Sequence, residues 1–447
     1  MIDITLIAAV FAGIGVLLLL ILYFRIQAFI SLLIASIVVG IIAGMPPAAM
    51  ITTMQEGMGG TLGFVATVVG LGAMFGAILE YSGGAEALAR YLLGKFGEKN
   101  ASWALMLTGF FVAIPVFFDV GFIILVPLIY ALQRKTGRSL LLYGIPLLAG
   151  LAVTHAFIPP TPGPVAVADI IKADLGWIIL FGFIAGVPAA LVSGPLFARY
   201  ISRKIYVEAP VVTEEVSGET RLPPVRYIVG IIGIPLGLIV CNTLLNSPLF
   251  NPQAVPQQVK AWLVMIGHPF TALIIANIVA WYLLGIKRGV SRKKLLDITT
   301  RSMGPAGIII LLTGAGGVFK QMLINTGIGE MLALYFADKG VSMLLFAFLA
   351  AAIVRVLQGS ATVSMITAAG LTAPLLTAGV TEVEKALLVV AIASGASILS
   401  HVNDSGFWLV SKYLGLDEKQ TLKSWTVMTT LLALTGLATV GVLSVFV

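Results

Sequence analysis

The sequence is short of the residues from which soluble enzymes build surfaces and metal sites. Of its 447 residues, one is cysteine, three are histidine and only 11% are charged. A soluble domain carries about 25% charged residues, so most of this chain cannot face water. Cys241 alone permits neither an intrachain disulfide nor a cysteine-cluster metal site; it reads as a small buried apolar side chain. The chain has no HExxH motif for a zinc hydrolase and no GxSxG element for a serine nucleophile, which argues against an intramembrane enzyme.

What the chain has is apolar length. Hydrophobic residues make up 59% of it, enough for about ten crossings at ~20 residues per spanning helix. The net charge of +7 does not point to nucleic acid, because the basic residues sit in short loops between apolar runs. The start, MIDITLIAAV, has an Asp and no basic residue, which makes a poor signal peptide and reads as a retained first helix. Spanning helices are expected near 4–24, 27–44, 61–80, 139–158, 176–198, 227–245, 261–284, 304–324, 385–403 and 425–446.

Two further apolar stretches are too long for one crossing and are interrupted near their middles. The stretch 103–131 contains Pro115, Asp119 and Pro127; 342–376 contains Arg355, Gln358-Gly359-Ser360 and Pro374. Irregular polar backbone at membrane depth is tolerated only when buried in protein, so each reads as a re-entrant hairpin. With both hairpins and an outside N-terminus, 21 of the 27 Lys and Arg fall in inside loops. Lys172, Lys260, Lys339 and Lys385 fall outside, and Lys320 and Arg355 lie within apolar segments. That bias is the positive-inside pattern. It also puts both termini on the outer, periplasmic side. The polar stretch 199–226 reads as a cytoplasmic linker between the halves 1–198 and 227–447.

The halves resemble one another. At a fixed offset Gly70 meets Gly314, Phe75 meets Phe319, Leu79 meets Leu323, Glu86 meets Glu330 and Leu88 meets Leu332. Each half gives three spans, a hairpin and two spans, so the fold expected is an all-α polytopic membrane protein of two inverted repeats.

Ionisable groups at membrane depth are functional candidates. Asp119 is either a tip carboxylate in water or a buried proton carrier that also orients substrate. Arg355 is either a snorkelling or ion-paired residue or a fork for a substrate carboxylate. Around it Gln358, Ser360, Thr362 and Ser364 offer amide and hydroxyl groups, and Gly359 allows close backbone approach. HAFIPPTPGP cannot be continuous helix, because its four prolines remove donors and clash with preceding carbonyls. It carries His155 and Thr161; its counterpart HVNDSGF carries His401, Asn403, Asp404 and Ser405. Either segment could instead be an ordinary helix-ending loop. His155 and His401 can titrate near neutrality, His268 reads as structural, and Lys320 is expected to snorkel or pair.

The MPPAAM turn, PVFFDVGF, HAFIPPTPGP, QGSATVSM and HVNDSGFW together resemble the gluconate:proton symporter (GntP) family of bacterial permeases, along the whole chain. The resemblance implies proton symport of an aldonate such as gluconate across the inner membrane, without cofactor or metal. Relatives in the family carry other sugar acids or D-serine. It also implies an elevator-type movement, with a mobile transport domain on a dimerising scaffold, hence a homodimer. Taken with the residues, it places the sugar acid between the hairpin tips and the unwound segments. Asp119, His155, Thr161, Arg355, Gln358, Ser360, Thr362, Asn403 and Ser405 are the candidate substrate contacts. Asp119, Asp404, His155 and His401 are the candidate proton sites. A sodium-coupled carrier and an anion channel are the rival expectations.

Overall fold

The structure is a computed structural model describing residues 4–210, 222–246, 256–327, 342–377 and 379–446. Every regular element in them is a helix. The first half comprises α1 (Ile4–Leu22), α2 (Ala28–Ile42), α3 (Pro47–Tyr81), α4 (Gly84–Phe96), α5 (Ala101–Val112), α6 (Phe118–Thr136), α7 (Leu141–Phe157), α8 (Pro162–Ile171) and α9 (Leu175–Lys204). The second comprises α10 (Val225–Asn246), α11 (Gln257–Gly267), α12 (Pro269–Arg288), α13 (Arg292–Asn325), α14 (Met343–Gln358), α15 (Ala361–Thr372), α16 (Glu382–Ser397), α17 (Ser405–Leu414) and α18 (Glu418–Leu443). Among the described residues seven helical stretches are long and apolar enough to cross a membrane, with α7 and α8 counted together. Helices apolar on every side must be covered by protein or lipid.

The two longest helices, α3 and α13, have 35 and 34 residues, about 50 Å each at 1.5 Å per residue. They pack antiparallel. Asn325, at the end of α13, donates to Thr53 near the start of α3 at 2.8 Å. Their backbones nearly touch, since a Cβ on Gly57 would sit 2.7 Å from the Gly317 carbonyl oxygen. A second close crossing joins α5 to α7, where a Cβ on Gly109 would overlap the Leu147 carbonyl. Small residues at such crossings let helices associate by dispersion where no water drives them together.

At the centre lie α7, α8 and α16. Nearly every residue of the α7–α8 stretch is buried, and every residue from Ala386 to Ser397 of α16 is buried. At the periphery α10 buries only six of its 22 residues. It packs through one stripe, Ile228, Ile231, Ile232, Pro235, Ile239 and Thr243. Cys241 lies off that stripe and is exposed, contrary to the expectation from its composition: helix phase decides its burial.

The stretch 103–131 breaks at 113–117, between α5 and α6. Glu98, just before α5, pairs with Lys135 at the end of α6 at 2.5 Å, so the chain leaves at the end where it entered. Asp119 sits in the first turn of α6 rather than at the tip, and Pro127 lies inside that helix. The stretch 342–376 breaks at Gly359-Ser360, and α14 and α15 pack on each other. The proline-rich segment unwinds over 158–161. Pro162 then starts α8, a position where a missing N–H costs nothing. The counterpart unwinds over 398–404 before α17.

Some elements escaped the sequence. α3 starts at Pro47, well before 61, and α4 is an additional short helix. The stretch 261–284 is divided at His268, whose Nδ1 accepts the Phe270 N–H (3.3 Å) as the cap of α12. Beyond α9, residues 205–210 run as a strap, with the Leu140 N–H donating to the Val207 carbonyl at 2.8 Å. Arg221, Glu330, Leu332 and Lys339 lie outside the described residues.

Candidate functional site

The tip between α14 and α15 is tied to the unwound segment 398–404. Gly359 has φ +88°, and a Cβ on it would overlap the Asn403 carbonyl, so only glycine suits both the turn and the contact. Arg355, in the last turn of α14, is 5% exposed. One guanidinium nitrogen donates to the Gly359 carbonyl and Nη2 meets Oδ2 of Asp404 at 2.5 Å, while Nε is buried without a partner among the described residues. Oδ1 of Asp404 accepts the Gly406 N–H at 3.1 Å and so caps α17.

Other polar groups of this tip also help to hold it. Asn403 donates to the Val356 and Leu357 carbonyls at 2.9 and 3.3 Å, and His401 Nε2 lies 2.9 Å from the Val356 carbonyl. Gln358 Oε1 accepts the Ser360 N–H, and Ser360 Oγ caps α15 through the Val363 N–H. Behind them Ser400 Oγ donates to Asp404, and Trp425 Nε1 donates to Ser400 Oγ at 2.6 Å. Trp425 lies in a π-helical turn, Leu422–Thr426, which carries it toward the unwound segment.

The tip 113–117 is held by packing. Its Pro115 carbonyl rests on Gly76 of α3, where a Cβ would overlap it. A narrow crevice lined by Gly72, Pro115, Phe117, His155 and Thr161 lies against it. His155 Nδ1 is buried there without a hydrogen-bond partner among the described residues, whereas Thr161 Oγ1 is bonded to the Ile158 carbonyl at 2.6 Å. Next to the crevice, and sharing Pro115, Val116 and Phe117 with it, is a cavity of 370 Å³. Glu80, Lys294, Asp297 and Arg301 are among its walls.

The two regions meet. The Phe118 ring lies 5.5 Å from that of Trp425, and Asp119 is near enough to Asp404 to feel its charge. Asp119 is exposed and makes no hydrogen bond or ion pair among the described residues. Thr362 is half-buried and Ser405 exposed, both with side chains unbonded among the described residues. Lys320 is buried on α13, in electrostatic range of Asp169 and Lys172 and apart from either tip. Sequence reasoning missed Ser400, Trp425 and Gly76. An indole N–H in an apolar run needs an acceptor, a signal that would have drawn attention to Trp425.

A model of the GntP family permeases matches residues 4–446. The chain is 40% identical over 432 residues to the gluconate permease of Pseudomonas aeruginosa, covering 96% of this chain and 95% of that one. It is 39% identical over 446 residues to the low-affinity gluconate transporter of Escherichia coli K12, covering 99% of each. It is 38% identical over 442 residues to the gluconate permease of Bacillus subtilis, covering 97% of this chain and 98% of that one. Among solved structures, the Alcanivorax borkumensis YdaH transporter superposes with a TM-score of 0.62 over 90% of each chain. At 15% identity that likeness concerns the fold alone.

Proposed function

The chain belongs to the GntP permease family, and from that premise we propose that it carries gluconate, or a closely related sugar acid, together with protons through the inner membrane. It is an integral membrane permease, not an enzyme. The observation that carries the reading is the buried Arg355 at a chain break inside an apolar bundle, in a chain whose relatives are gluconate carriers. Gluconate has a carboxylate at one end and a chain of hydroxyls. A guanidinium suits the first, and the hydroxyl and amide groups around the breaks suit the second. In this reading Arg355 holds the carboxylate. Gln358, Ser360, Thr362, Asn403 and Ser405 contact the polyol from one side, and Asp119, His155 and Thr161 from the other. The proton resides among Asp119, Asp404, His155 and His401.

The antiparallel packing of α3 on α13 supports an inverted repeat, since the two helices hold the same place in each half. The matching order of split helices in each half supports it further. The ion pair closing the base of α5 and α6 supports a re-entrant hairpin, and the basic loops support termini on the periplasmic side. Elevator movement and a homodimer follow from the family resemblance.

The test is uptake of labelled gluconate into proteoliposomes under an imposed pH gradient, in sodium-free buffer. Uptake should accumulate gluconate and be inhibited by other sugar acids but not by D-serine. No gluconate uptake with or without the gradient would sink the substrate assignment. A sodium requirement would favour a sodium-coupled carrier, and conductance independent of any gradient a channel.

A further inference from the structure

We propose that the Arg355–Asp404 ion pair is the coupling element: Asp404 occupies the arginine that the substrate carboxylate needs, and a proton on Asp404 releases it. This inference rests on the gluconate-carrier reading above and adds an order, proton before anion, and the atoms that enforce it.

The geometry is that of a partial grip. Nη2 and Nε form one edge of the guanidinium fork, the edge that takes a carboxylate with two parallel bonds. Asp404 uses only Nη2, and the neighbouring Nε–H is without a partner among the described residues. An intramolecular carboxylate that satisfies half of a two-donor edge can be displaced by one that satisfies both, once its own charge is removed.

The surroundings of Asp404 accommodate that proton. Its Oδ1 is committed to the cap of α17, which needs no negative charge, so the helix end survives protonation. Its Oδ2 faces Ser400 Oγ. A serine hydroxyl can donate or accept: it donates to the carboxylate now, and by rotating it accepts from the carboxylic acid. Trp425 holds that hydroxyl in place. The other titratable groups beside the pair are Asp119 from α6, which adds negative charge, and His401, which is bonded to the Val356 carbonyl.

The consequence is strict coupling. While Asp404 is ionised it neutralises Arg355, ties the tip of α14 and α15 to α17, and leaves no cationic fork for an anion. When Asp404 takes a proton from water, the freed guanidinium binds the sugar-acid carboxylate. The loaded site then carries the same net charge as the empty one. Release runs in reverse: the anion leaves, the proton dissociates and the pair re-forms.

The experiment is gluconate binding as a function of pH, with counterflow and gradient-driven accumulation in proteoliposomes, on wild type, Asp404→Asn and Arg355→Gln. Wild-type affinity should weaken with rising pH, approaching about tenfold per unit on the alkaline side, as linkage to one proton requires. Asp404→Asn keeps the cap but cannot hold the charge. It should bind gluconate independently of pH and keep counterflow while losing accumulation. Arg355→Gln should bind no gluconate at any pH. If Asp404→Asn fails to fold, Asp404→Ser, also a capping residue, carries the same expectation. Affinity of the Asp404 variants that still follows pH as in wild type overturns the inference, as does a folded Asp404 variant without gluconate binding. A wild-type protein that binds no gluconate overturns the carrier reading instead.

Discussion

Residues 113–117 lie on α3 by van der Waals contact at Gly76, beside a cavity of 370 Å³. Residues 358–360 are tied down by the Arg355–Asp404 pair, two Asn403 hydrogen bonds and the His401 contact. Moving the first tip breaks no polar contact to another element among the described residues and has open space beside it. Moving the second strands a buried charge unless Asp404 is protonated and an anion takes its place on Arg355. A tip held by packing can yield to thermal motion, whereas a tip held by charge yields to chemistry.

Substitutions can sharpen or break this contrast. The largest effect is expected from Arg355→Gln, which leaves Asp404 without its partner. Loss of one member of a buried pair costs about 3–5 kcal/mol, so the detergent-solubilised protein should melt well below wild type and show no gluconate uptake. Next is Gly359→Ala, which places a Cβ against the Asn403 carbonyl in a left-handed conformation. Strain of about 1–3 kcal/mol should again appear as a lower melting temperature, with uptake reduced more than tenfold. Gly76→Ala creates a similar overlap with Pro115, but that tip can shift toward the cavity. Its stability loss should be about 1 kcal/mol, smaller than that of Gly359→Ala. Equal losses for the two glycines would remove the contrast between the tips. The smallest stability change is expected from Asp119→Asn, within about 0.5 kcal/mol, since Asp119 makes no hydrogen bond or ion pair among the described residues. Its gradient-driven accumulation should nonetheless fall; full accumulation would take Asp119 out of the proton path.

The breaks were legible because they violate a simple rule. Prolines and polar side chains inside apolar runs too long for one crossing must be housed in protein, and both long stretches are indeed split. Their positions were less legible. Pro127 sits within α6 without ending it, and Asp119 falls in a first turn, where a carboxylate favours the helix end. Roles were least legible. Ser360 and Asn403 are the residue types that bind a polyol, and also those that cap helices and stitch loops, and here they cap and stitch. Arg355 and Asp404 were each singled out, one for substrate and one for protons, but only tertiary structure makes them partners across 49 positions of chain. Whether α10 buries Cys241 depends on which stripe of the helix meets protein, and composition is silent on that.

The solitary thiol on the outer face of α10 gives the natural sequence a practical property. A reporter attached to Cys241 needs no competing cysteine removed first. One added cysteine on either hairpin tip would then complete a donor–acceptor pair, and the distance of each tip from the same point on α10 could be followed in turn.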